Sequence, residues 1–113
     1  MEAKELRIGN WVLVENDHET IKAITQTAFL CVLDGKGDGY MQLHKDVYPI
    51  PLTEEWLIKF GFERWNDVYN FYHKLNGVEI ENGNIYVGHG NEIKYVHQLQ
   101  NLYFALTNKE LTI

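Results

Sequence analysis

The sequence predicts a single α+β domain over residues 1–113: a curved antiparallel N-terminal sheet or partial barrel, a short helix, and a three-stranded meander packed by a C-terminal helix. Three observations carry this expectation. Short β-branched and aromatic runs, separated by polar or glycine-rich turns, fill the first half. Two Asn-Gly pairs, Asn76-Gly77 and Asn82-Gly83, mark hairpin turns in the second half. Apolar residues recurring at a 3.6-residue period mark 95–106 as a helix.

Trp11 to Val14 and Ile21 to Ile24 read as strands flanking a polar turn, Glu15 to Glu19. Ala28-Phe-Leu-Cys-Val-Leu33 is a continuous apolar run, too short for a helix and closed by Asp34-Gly-Lys-Gly-Asp-Gly39. Such a run suits a strand covered on both faces. Tyr40 to Val47 resumes as a further strand, which Pro49 and Pro51 end. From Pro51 to Gly61 the punctuation is helical. Thr53 is placed to accept from the first free amides, Glu54 and Glu55 sit at the positive end of the dipole, and Gly61 permits the left-handed closing residue. Trp56, Leu57 and Phe60 give this two-turn helix its apolar stripe.

The two Asn-Gly turns agree in register. The first pairs Leu75 with Val78, Lys74 with Glu79 and His73 with Ile80; the second pairs Ile80 with Ile85, Glu79 with Tyr86 and Val78 with Val87. Both put Phe71, Leu75, Val78, Ile80, Ile85 and Val87 on one face, with His73 among them, an arrangement that a slip of one residue would scatter. In the last helix Val96, Leu99, Leu102, Tyr103 and Leu106 share a side and are expected to cover that face. Leu111-Thr-Ile113 is a candidate edge strand.

Composition limits the function classes. With 45% apolar and 13% aromatic residues in 113, the chain packs a core rather than remaining disordered. No apolar run approaches the ~18 residues of a membrane span. The start Met1-Glu-Ala-Lys-Glu5 has neither the basic segment nor the apolar stretch of a secretory signal, and the lone Cys31 suits a reducing compartment, so a cytoplasmic setting is expected. Ten basic against sixteen acidic side chains, evenly divided between the halves, give a net charge of -6 and argue against nucleic acid as a partner. The acidic surface reads first as a solubility device.

Local chemistry is sparse. No HxxxH or CxxC spacing exists among the five histidines and one cysteine. His18 and His44 read as solvent-facing, in a turn and a strand respectively, while His73 and His89 stand about four strand positions apart, too far to share one zinc. The 34–39 loop has Lys36 where a calcium loop needs an oxygen ligand and Lys45 where it needs a carboxylate. It has no Gly-Lys-Ser/Thr for phosphate. Cys31 lies in an apolar run that shields a thiol, and the chain contains no serine, which excludes a serine nucleophile. No metal, cofactor or catalytic residue is expected from these patterns.

The unusual feature is the last helix, which carries no charge from Tyr95 to Asn108. Opposite its apolar stripe fall His97, Gln100, Asn101 and Phe104, at i, i+3, i+4 and i+7. A solvated helix face normally carries Lys, Glu or Arg. The plainer reading is a helix buried on both sides, with the N-terminal sheet over the second; the functional one is an aromatic-anchored face for a protein partner or a second copy. The leading expectation is therefore a non-enzymatic accessory protein that works by protein–protein binding or self-association through these four residues. A second reading is nucleic-acid association through Lys4, Arg7, Trp11 and Lys22 of the N-terminal sheet. A third is a small enzyme with dispersed carboxylates and His73 or His89.

Three segments also resemble a known family: Leu6-Arg-Ile-Gly-Asn-Trp-Val12, Pro49-Ile-Pro-Leu-Thr-Glu-Glu-Trp-Leu-Ile-Lys-Phe-Gly-Phe62 and Ile93 to Ile113, a little over a third of the chain. They are similar to short proteins, without an assigned activity, that recur in Bacteroides-type bacteria and in their phages and mobile elements. The resemblance implies a cytoplasmic bacterial or phage setting. It carries over no catalytic residue.

Overall fold

The structure is a computed structural model that describes the chain except 34–38, 66–67, 71–77, 82–83 and 88–90, with backbone alone at 64–65, 68–70, 78–81, 84, 87 and 91. The chain groups into two compact units, Met1–Ile50 and Pro51–Ile113.

The first unit is a curled antiparallel sheet, a half-barrel, as the sequence predicts. Its strands are β1 (Trp11–Val14), β2 (Asp17–Ile24), β3 (Ala28–Leu33), β4 (Tyr40–Leu43) and β5 (Val47–Tyr48), in the order β4-β3-β2-β1-β5. Alternation along β1 buries Val12 and Val14 and leaves Trp11 and Leu13 half-exposed. Between β2 and β3 the register shifts: Ile21 faces Cys31 and Ala23 faces Leu30, so Lys22 is an extra, exposed residue. In a regular strand Ile21 and Ile24 would point to opposite faces. The bulge turns both to the core, where they meet Leu6, Val12, Val14, Phe29, Cys31 and Val47.

Two polar devices close this unit. Asn10 is fully buried; its side chain accepts from the Arg7 amide at 2.7 Å and its carbonyl from the Ile21 amide at 3.0 Å, tying the approach segment to β2. The Met1 ammonium donates to the carbonyls of His44 at 2.6 Å and Val47 at 3.1 Å. These are charge-assisted bonds between the start of the chain and the entry to β5.

The sheet differs from expectation in two places. The predicted 15–19 turn contracts to Glu15-Asn16, because Val14 pairs with Asp17 and Leu13 with His18. Glu15 takes the left-handed backbone (φ 56) that so short a reversal demands, and His18 becomes a half-buried strand residue. The predicted strand 40–47 is broken by a 3-10 turn, His44–Asp46, which lets β5 return beside β1 with Val47 opposite Val14. His44 is consequently half-buried rather than fully turned out to solvent. Its ring stacks on Phe29 at 4.2 Å, with Nε2 3.1 Å from the Thr25 carbonyl. Gly39 (φ 78) is required where β4 begins: a Cβ there would run into the Cys31 carbonyl oxygen and lie 2.9 Å from a Val32 methyl.

The second unit opens with helix α1 (Glu54–Lys59), which buries Trp56, Leu57 and, just past its end, Phe60, as its spacing predicts. Gly61 (φ 90) closes it: the Gly61 amide donates to Ile58 and the Phe62 amide to Leu57, both at 3.0 Å, a Schellman closure. Thr53 caps through its main chain, accepting from the Leu57 amide, and not through its hydroxyl as expected.

A second antiparallel sheet follows: β6 (Glu63–Trp65), β7 (Val68–Asn70), β8 (Val78–Glu81), β9 (Asn84–Val87) and β10 (Asn91–Ile93), in the order β10-β9-β8-β7-β6. The meander is thus five-stranded rather than three-stranded. The Asn82-Gly83 hairpin has the predicted register, with Ile80 opposite Ile85 and Val78 opposite Val87, and Ile85 is buried. The register predicted from Asn76-Gly77 is not adopted by β8. Tyr69 faces Val78 and Val68 faces Glu79, so the places assigned to Leu75 and Lys74 are taken by β7. The expected strand 71–75 lies outside the described residues, as do the side chains of Val78, Ile80 and Val87.

From β10 the chain enters helix α2 (Val96–Thr107). Gln98 accepts from the Lys94 and Tyr95 amides at 3.0 and 3.2 Å, and Asn108 ends the helix in the left-handed region (φ 59). Leu111 is buried, but 111–113 adds no strand.

Candidate functional site

The four residues predicted to form a contact face on α2 divide in the structure. His97 and Gln100 are 3% and 2% exposed, whereas Asn101 and Phe104 are half-buried. The buried side of the helix is made by Val96, His97, Leu99, Gln100 and Tyr103, while Leu106 is exposed. The face drawn from hydrophobicity alone is therefore rotated. Two uncharged polar residues lie within it and one leucine lies outside. His97 stacks against Tyr95 with ring centroids 5.8 Å apart, and both His97 and Gln100 are engaged by further contacts. Interior placement explains the missing charge, and it removes His97 and Gln100 from any outward docking surface.

The basic set lies wholly in the first unit. Lys4 lies 3.2 Å from the Glu2 carboxylate in a 3-10 turn that also holds Glu5. Arg7 is half-buried in the approach to β1. Trp11 stands opposite Thr20, half-buried, and Lys22 is the exposed bulge residue of β2. The Gly9 amide donates to the Ile21 carbonyl at 2.7 Å and the Asn10 carbonyl accepts from the Ile21 amide at 3.0 Å, so the 7–11 segment runs beside 20–22. His73 and His89 lie outside the described residues. Among the described residues no group of three His, Cys, Asp or Glu side chains could hold a metal ion, and no helix is long and apolar enough to cross a membrane.

Cys31 is fully buried, and burial pushes its thiol from the ordinary 9.0 up to about 11, with the negative charge of Glu19 adding to the effect. The fold thus favours the neutral thiol. Because the folded value is raised, this contribution is complete below pH 9 and is lost as pH rises from about 9 to 11, a change of roughly 2–3 kcal/mol. Urea unfolding of wild type and Cys31→Ala at pH 8 and pH 11 checks this: the wild type should lose that much more than the variant across the interval.

What the structure places on the surface is strand β4. It ends the sheet, and among the described residues no strand pairs with its far side. Tyr40 is 79% exposed, Met41 53% and Leu43 50%. Met41 and Leu43 share a face with Leu30 and Ala28, their partners on β3, whereas Tyr40 and Gln42 lie opposite Cys31 and Phe29. From Gly39 to His44 there is no carboxylate, ammonium or guanidinium.

The opposite edge, β5, is only two residues long and is followed by Pro49, the usual protection of a sheet margin. β4 has no proline, no lysine and no bulge within it. An outward row of amides and carbonyls flanked by apolar side chains can receive an extended segment as an added strand. Sequence reading missed this edge because 40–47 read as one strand. The signal was there in an uncharged tetrapeptide with a glycine before it and Lys45-Asp46 just beyond His44. Comparison with protein families, with curated proteins and with solved structures finds no match to this chain.

Proposed function

We propose that this is a non-enzymatic accessory protein of a bacterial or phage-infected cytoplasm that acts by protein binding, self-association included, through the open edge of β4. The observation that carries this reading is the uncharged run Tyr40–Leu43, with Tyr40, Met41 and Leu43 exposed, on a sheet margin that no further strand pairs with among the described residues. Main-chain hydrogen bonds supply affinity in such a contact, and the side chains of Met41 and Leu43 supply the apolar anchor. The buried lone cysteine fits a reducing compartment.

The test is a photo-crosslinking amino acid placed at Met41, compared with one at Ile58, an equally apolar residue 61% exposed on α1. Irradiation of the purified protein and of a bacterial lysate containing it should give protein adducts from position 41 and not from 58. Equal adducts from both positions, or none from 41, would refute the assignment.

A further inference from the structure

Resting on that reading, we infer that the occupant of the β4 edge is β4 of a second copy of this chain, running antiparallel about a two-fold axis at Gln42. Charge supplies the first argument. Each copy carries a net charge of -6, so two copies can meet closely only where like charges do not face one another. The run Gly39 to His44 meets that condition. A foreign partner selected by electrostatic complementarity would call for charged side chains at the contact, and Tyr40–Leu43 has none.

Strand geometry supplies the second. Residues directly opposite in an antiparallel pair point to the same face, so a two-fold contact must set odd positions against odd ones. With Gln42 on the axis, Met41 lies opposite Leu43 of the partner subunit, and Leu43 opposite Met41 of the partner subunit. Both apolar pairs then stand on the face that carries Leu30. A shift of one residue would set Met41 against Gln42, which point to opposite faces. The next permitted register, with Met41 on the axis, would place Leu43 against Gly39 and cover less apolar surface. The axis at Gln42 is the register that joins side chains 53% and 50% exposed to each other.

Size supplies the strength. A four-residue ribbon spans about 14 Å and covers less than the ~1,200 Å² of a stable complex, so the dimer forms and dissociates with concentration.

The full chain, weighed in solution by light scattering or sedimentation from about 10 μM to 1 mM, should move from 13.3 kDa toward twice that mass. Met41→Lys and Leu43→Glu should each remain at the monomer mass across that range. An equimolar mixture of these two variants should recover the dimer, because the new ammonium and carboxylate face each other in this register and no other. Ile58→Lys should dimerise as the wild type does. A wild-type chain that stays monomeric throughout, or a mixture that does not recover the dimer, would overturn the inference. If the wild type is monomeric while a crosslinker at Met41 still captures a different protein, self-pairing fails and the edge-binding reading survives; if neither occurs, both fail.

Discussion

Replacing Phe29 by Ala should lower the unfolding free energy by about 3–5 kcal/mol, a large share of the reserve of a chain whose total stability is of the order of 5–15 kcal/mol. Phe29 is fully buried in the cluster formed by Leu6, Val12, Val14, Ile21, Cys31 and Val47, so its removal leaves a void with walls on every side. It also supports a neighbour that the apolar count omits. The His44 ring stacks on it at 4.2 Å, and the His44 carbonyl accepts from the Met1 ammonium at the turn into β5. Truncation therefore loosens the 3-10 turn and the return of β5 to β1 together. Phe29→Leu, which keeps most of the volume, should cost about 1 kcal/mol. Urea unfolding followed by tryptophan fluorescence measures both. A loss below about 1 kcal/mol for Phe29→Ala would show that the half-barrel does not depend on this ring.

How far the sequence could be read depended on which physical signal was local. Strands β1 and β3, the closure of α1 at Gly61 and the Asn82-Gly83 hairpin were legible because each is decided by residues within a few positions: β alternation, a left-handed glycine, a two-residue reversal. The split of 40–47 into β4 and β5 was not. Nothing within that segment announces that Val47 must return to Val14; the demand comes from a strand more than thirty residues earlier. The Lys22 bulge is visible only as a misfit, in that Ile21 and Ile24 cannot share a face of a regular strand. The first Asn-Gly pair shows the opposite failing. A strong turn signal was extended into a pairing that β7 makes instead. The candidate site was the least legible part. Absence of charge has two physical meanings, interior and interface, and residue types alone do not separate them. On α2 it marks an interior for His97 and Gln100, while on β4 it coincides with an exposed edge.

That difference makes Gln100→Glu the sharpest experiment on the second unit. Gln100 is 2% exposed, and the substitution hardly changes its shape. At such a site the new carboxyl must either bury a charge or stay protonated. Staying protonated at pH 7, against an ordinary value of ~4.3, costs about 3.5 kcal/mol, which is the expected loss of stability at neutral pH. Since the folded value is raised, the penalty is absent below the unfolded value and grows as pH rises through it. The variant should therefore approach wild-type stability near pH 4 and fall progressively behind between about pH 4.5 and 7. A carboxylate on an outward docking face would produce no such slope; it would leave the fold intact and alter only what the protein associates with. Urea midpoints for wild type and Gln100→Glu at pH 4, 5.5 and 7 separate the two outcomes. A variant as stable as wild type at pH 7 would return this face of α2 to the surface, and with it the contact that the uncharged helix first suggested.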